Sequence, residues 1–108
     1  MDFVVIVVFS PTESTSAVLD ALASAGAGRI GDYSGCSWSV TGTGRFTPEA
    51  GAQPAIGAVG TPEAVAEDRI EVVCRRDLAR AVVTAMLEAH PYEEPAYHAY
   101  PVLTLDDL

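Results

Sequence analysis

Residues 90–97 read His90-Pro91-Tyr92-Glu93-Glu94-Pro95-Ala96-Tyr97, and no other stretch of the chain is so dense in groups that can do chemistry. Each proline fixes its own φ and pushes the residue before it out of the helical region, so the segment is stiff and presents a defined surface. Imidazole with carboxylate is an ordinary ligand set for zinc, copper or manganese, and His98 lies a few residues on. Adjacent residues of an extended segment point to opposite faces, so at most one of Glu93 and Glu94 joins His90 on an ion unless the chain turns. A plainer role competes: a histidine before Pro91 stands where a helix must end, and the helix dipole favours a cation there by about 0.3–1 kcal/mol. Both readings stay open.

Two elements must carry this segment. Residues 70–74 read as a strand, Asp77 is placed to N-cap a helix, and Leu78, Val82, Ala85, Met86 and Ala89 make one apolar stripe that ends at His90. The first half of the chain has the same plan. Residues 3–9 are continuously apolar and rich in Val, which suits a strand covered on both faces. Ser10-Pro11-Thr12-Glu13 has the form of a capping box with Pro at the first helical position. A helix then buries Val18, Leu19, Leu22 and Ala25 and stops at Gly26. Residues 18–26 align with 82–90 without a gap, and the same offset sets Tyr33 opposite Tyr97 at the start of the next strand. The chain therefore reads as βαβ twice over, which predicts an α+β, ferredoxin-like βαββαβ sandwich with both helices on one face of an antiparallel sheet.

The second strand is expected over residues 33–41, followed by a long Gly/Pro-rich connection over 42–67. A stretch of that length without periodicity is usually functional or mobile. Short hairpin strands are expected within it around 45–46 and 55–59. Gly26-x-Gly28-x-x-Gly31 matches a dinucleotide fingerprint as a string, but it closes a helix instead of opening one, so it reads as a cap and turn. Cys36 and Cys74, expected on the second and third strands, read as reduced, structural thiols. Tyr92, Tyr97, Tyr100 and Trp38 offer rings to a ligand, although Tyr97 and Tyr100 fall on a terminal strand where support of the core or of a subunit contact is the simpler role.

Composition removes several classes of function. With 108 residues and 49% hydrophobic content the chain is expected to form one globular domain, residues 1–108. Its net charge of −9 repels phosphate backbones and anionic lipid, so neither nucleic acid nor membrane is an expected partner. The apolar run at the N-terminus has strand length and no basic flank, which argues against a leader or a membrane span and for a cytoplasmic protein. No Ser/His/Asp or Cys/His arrangement emerges from spacing.

Residues 90–97, together with two Gly-rich runs over 26–37 and 42–48, resemble the insert domain of the Nif-three-like (YqfO-type) family, which shares its fold with the PII and CutA proteins. The resemblance covers nearly the whole chain and is close at Gly28, Gly31, Tyr33, Cys36, Gly42, Gly44, Phe46, Pro48 and from His90 to Tyr97. It implies a module carried within a metal-binding shell that this sequence does not contain, so the hydrolase activity of the full-length relatives is not expected here. It also implies a ligand or partner surface in the long connection. The relatives tend to carry His where this chain has Gly35, a basic residue at Thr47 and Asp at His98. Loss of the imidazole beside Cys36 weakens any metal site inherited at that turn, whereas His98 offers a replacement ligand.

The resulting expectation is a non-catalytic, homo-oligomeric module, a trimer first and a dimer second. It binds a small molecule or a divalent ion, zinc or copper, in a cleft between residues 90–94 and the loops over 28–36 and 42–48. The ligand-binding candidates are Gly28, Arg29, Gly31, Tyr33, Gly42, Gly44, Arg45, Phe46, Tyr92, Glu93 and Glu94. Those for metal are His90, Glu93, Glu94, His98 and Cys36. Two alternatives stand beside it: a metal-tolerance protein of CutA type, and an accessory subunit that serves a metal-dependent hydrolase in trans.

Overall fold

A computed structural model describes residues 2–108. The apolar run at its start forms β1 (Phe3–Pro11), which lies inside the sheet with a neighbour on each side. Val4, Ile6 and Val8 alternate onto one face and are buried. On them pack Val18 and Leu22 of α1 (Thr15–Ser24) and Val82 and Met86 of α2 (Ala79–Ala89), with Ile70, Val72 and Cys74 of β3 (Glu63–Arg75) beside them. The edges are β2 (Trp38–Phe46) and β4 (Tyr97–Val102), giving the order β2-β3-β1-β4 with every neighbouring pair antiparallel. This is the ferredoxin-like sandwich expected from the doubled βαβ pattern.

The internal repeat holds through each helix and then breaks. A 3₁₀ turn precedes each helix, Thr12–Ser14 and Arg76–Leu78, at matching positions of the two halves. Tyr97 does begin β4, whereas Tyr33 lies in a tight turn bridged to Ile30, five positions before β2 begins, and is 74% exposed. The second strand is thus shifted from the expected 33–41 to Trp38–Phe46. The cause is the turn at 26–37, which hangs on the neighbouring strand: Gly28 N–H donates to Val73 O at 2.8 Å and Cys36 N–H to Gly28 O at 2.9 Å. Gly28 must be glycine there, since a Cβ would stand 2.6 Å from the Cys36 carbonyl oxygen.

Three further expectations are corrected. Both ends of the supposed connection over 42–67 are sheet: Gly42 pairs with Glu67 and Phe46 with Glu63, so the irregular part shrinks to residues 47–62, and 55–59 contain no strand. These two strands run past the end of β1, whose last partner is Glu67, and form a two-stranded arm on an elongated molecule of 49 × 23 × 22 Å. One face of the arm is exposed and the other is only half-covered and carries Gly and Glu beside Phe46 and Val65, so no alternation of apolar residues marked it as strand. The capping box also does not form. Pro11 ends β1, and Ser10 is buried with its hydroxyl on Thr15 Oγ1 at 3.0 Å. Asp77, expected as an N-cap, lies in the 3₁₀ turn and instead takes both Nε and Nη2 of Arg75, at 3.1 and 2.6 Å. Gly26 does close α1, at φ +111°, with Ala27 N–H donating back to Leu22 O.

Candidate ligand pocket

The strand directions sort the functional candidates to two ends of the molecule. Residues 47–62 and 90–96 share one end with Pro11, while 26–37 lie at the other beside the turn after β3. The expected cleft is therefore split: Arg45, Phe46 and Pro48 meet Tyr92, Glu93 and Glu94 around one pocket, and Gly28, Arg29, Gly31, Tyr33 and Cys36 are remote from it. Cys36 also falls before β2 and not on it.

His90 anchors the second of these segments. It caps α2, its N–H donating to Met86 O at 3.0 Å, and only 6% of its surface is exposed. Tyr92 N–H donates to its Nδ1 at 3.1 Å, so Nδ1 carries no proton, and Nε2–H donates to Phe9 O at 2.7 Å. The ring thus bolts the Pro-rich turn onto the end of β1, with both nitrogens engaged by backbone. Glu93 and Glu94 are exposed, and His98 stands away on β4, stacked at 6.3 Å on Tyr100. Among the described residues no group of three or more His, Cys, Asp or Glu is placed to hold a metal ion.

The polar anchor of the pocket is a pair that sequence reasoning did not find. Tyr92 Oη–H donates to Glu67 Oε2 at 2.9 Å, with the Tyr92 ring 5.0 Å from His90 and 5.9 Å from Phe46. Burial first, and then the bond to the Glu67 carboxylate, push the phenol well above the usual tyrosine range. Glu67 lies across β2 because Gly44 offers no Cβ to meet its carboxylate. Opposite, Gln53 N–H donates to Glu93 Oε1 at 3.1 Å and ties the 47–62 loop to the Pro-rich turn, while Gly60 N–H closes that loop on Pro48 O at 2.8 Å. The half-open concavity measures about 330 Å³, with Phe9, Phe46, Pro48, Pro54, Ile56 and Tyr92 as apolar wall. Its ionisable lining is Arg45 against Glu49, Glu67, Glu93 and Glu94. Phe9 and Glu67 belong to it because strand parity turns both to the sheet face that carries no helix, a signal available only once β3 is known to extend back to Glu63.

A second polar cluster stands on the helix side of the same end. Asp68 accepts from Thr15 Oγ1 and from Thr41 Oγ1, each at 2.6 Å, and these two bonds hold its carboxyl below the usual carboxylate range. Thr15 spends its one hydroxyl proton on Asp68, so Ser10 is the donor in the Ser10–Thr15 contact. Far from both clusters, Cys74 is buried in the core, where burial raises its thiol.

No protein-family model matches the chain. The protein named GTP cyclohydrolase 1 type 2 homolog in Mycobacterium tuberculosis is 55% identical over 97 residues, 90% of this chain and 26% of the relative. Its namesake in Bacillus subtilis is 50% identical over 95 residues, 88% of this chain and again 26% of the relative. The chain therefore spans about a quarter of the length of the curated relatives it matches. A Bacillus cereus protein described as related to NIF3 superposes with a TM-score of 0.81 at 44% identity, over 94% of this chain and 26% of that one. The periplasmic divalent cation tolerance protein CutA of Archaeoglobus fulgidus gives 0.68 at 20% identity, over 93% and 83%, a likeness of fold alone.

Proposed function

We propose that this chain, homologous over nine tenths of its length to one segment of the Nif-three-like proteins, is a non-catalytic module that binds a small ligand in the pocket between the 47–62 loop and the Pro-rich turn. The observation that carries this reading is the convergence of aromatic rings and carboxylates from β1, β2, β3 and two loops on one concavity of about 330 Å³. That volume is at the lower end of the range of small-molecule sites, about 300–1,000 Å³. The groups present hold better than they react. The His90 nitrogens are both engaged, and the Tyr92 phenol is kept protonated, so neither serves as a base near neutral pH. The cyclohydrolase name belongs to proteins of which this chain spans about a quarter, and an acidic wall opposes a triphosphate.

The module assembles with copies of itself, as a trimer before a dimer. Support comes from the two sheet edges, β2 and β4, and from Trp38, 58% exposed, with Val40 and Tyr100 on the sheet face that bears no helix. No helix among the described residues is long and apolar enough to cross a membrane. Native mass spectrometry of protein purified without tag or chelator tests both parts. A retained small-molecule mass that Phe46→Ala loses supports the pocket. A protein of 11.3 kDa that stays monomeric at micromolar concentration and carries no adduct removes the reading.

A further inference from the structure

The pocket's lining has a chemistry narrower than that of small-molecule sites at large. Four carboxylates face it against one guanidinium. Glu67 spends only Oε2 on Tyr92 and Glu93 only Oε1 on Gln53, and the side chains of Glu49 and Glu94 have no partner among the described residues. Four acidic groups with acceptor oxygens to spare, beside rings and prolines, suit a ligand that brings positive charge and donors on an apolar body. The Tyr92 hydroxyl also feels Glu13 from the turn before α1, which adds to the negative field at this end. The molecule supplies its own precedent: the Arg69 guanidinium stands 5.5 Å from the centre of the Phe9 ring, so a wall residue of the pocket already holds a cation on its π face.

We propose that the pocket selects an organic cation, an amine or amidine carried on an aromatic or compact apolar body, over anions of the same shape. The inference rests on the reading of the pocket as a ligand site. Glu67 and Glu93 receive the charged head, because they flank the pocket from β3 and from the Pro-rich turn and each keeps an oxygen free of protein partners. Phe46 and Tyr92 receive the body, their rings set at 59° to form a notch. A bare metal ion would use the carboxylates and waste the rings; an anion would use Arg45 against the sum of four like charges.

Three probes with one ring system and different charge decide it: tryptamine, indole and indole-3-propionate, titrated into the ¹⁵N-labelled chain at low salt. Tryptamine is expected to shift the amides of Phe46, Gln53 and Glu93 saturably and at least tenfold more tightly than indole, with indole-3-propionate weaker than indole. The double variant Glu67→Gln, Glu93→Gln keeps the acceptor for Tyr92, so its spectrum should stay dispersed. In it tryptamine should fall to the affinity of indole while indole is unchanged. Indole binding to the wild-type chain as tightly as tryptamine, or a double variant that leaves tryptamine untouched, overturns the cation selectivity and leaves the pocket standing as a site. Failure of all three probes to move those amides at millimolar concentration removes both.

Discussion

The phenol of Tyr92 and the carboxylate of Glu67, 25 positions apart, meet at 2.9 Å with the carboxylate laid over Gly44 of the neighbouring β2, where any side chain would occupy its place. Three elements thus share one contact. The Pro-rich turn supplies the donor, β3 the acceptor and β2 the space.

Tyr92→Phe removes the donor and keeps the ring, so the contact with Phe46 survives while Glu67 loses its partner. The expected loss is about 0.5–1.5 kcal/mol in urea denaturation, the usual net worth of one hydrogen bond. The phenol is raised in the folded chain, so its contribution is complete below the ordinary tyrosine value of about 10 and is lost as pH rises through the folded value. An ultraviolet titration of the wild type should contain a component above the ordinary range that Tyr92→Phe abolishes. Identical alkaline titrations for the two proteins would contradict the burial of this hydroxyl.

Gly44→Ala and Gly42→Ala form a matched pair on one strand face. A Cβ at 44 meets the Glu67 carboxylate, while one at 42 meets nothing within 4 Å. The first should displace Glu67 and release Tyr92, at a cost of about 1–3 kcal/mol. The second should be neutral or slightly stabilising, since Ala has less unfolded-state freedom than Gly. Gly44→Ala in a Glu67→Ala background should lose most of its penalty, a coupling that thermal melts of the four proteins measure.

How legible all this was in the sequence depended on which solvent each residue met. Val18, Leu22, Val82 and Met86 were readable because a helix with one dry face writes a 3.6-residue period, and the two halves wrote it in register. The arm of β2 and β3 was not, since with one face in water and the other only half-covered its glycines and threonines have no reason to alternate with apolar residues, and Glu67 was lost with it. The turn at 26–37 defeated the repeat because its length is set by hydrogen bonds to Val73 and Cys36, contacts that no local pattern encodes. His90 was rightly read as a helix end, but the second half of its role needed the third dimension: its partner at Phe9 O lies 81 positions away.

His90→Gln keeps polarity and loses reach, since one amide cannot serve both Phe9 O and Tyr92 N–H as the ring does. Leaving either group buried without a partner costs roughly 1–3 kcal/mol, and the Pro-rich turn should loosen with it. Amide hydrogen exchange at Tyr92 should rise by at least tenfold while that at Val72 follows global stability alone. Because both ring nitrogens face backbone groups, zinc titrated by calorimetry should give equal heats for wild type and variant. A zinc affinity that His90→Gln removes would restore the metal reading.

Asp68 sets the acid limit of this end of the fold. Its carboxyl is lowered chiefly by the Thr15 hydroxyl and then by Thr41, so its contribution is full above the unfolded value, near 3.9, and disappears as pH falls through the folded one. Asp68→Asn should therefore cost about 1 kcal/mol at pH 7, a figure kept small by the solvent around Thr41, and should cost progressively less as the medium is acidified below about pH 4. Thr15→Val should reproduce more of that loss than Thr41→Val, because it also strands the buried Ser10 hydroxyl. Guanidinium melts of the four proteins at pH 7 and at pH 3 provide the comparison. A difference between wild type and Asp68→Asn that persisted unchanged at pH 3 would show that packing, and not the ionised carboxylate, is what Asp68 contributes.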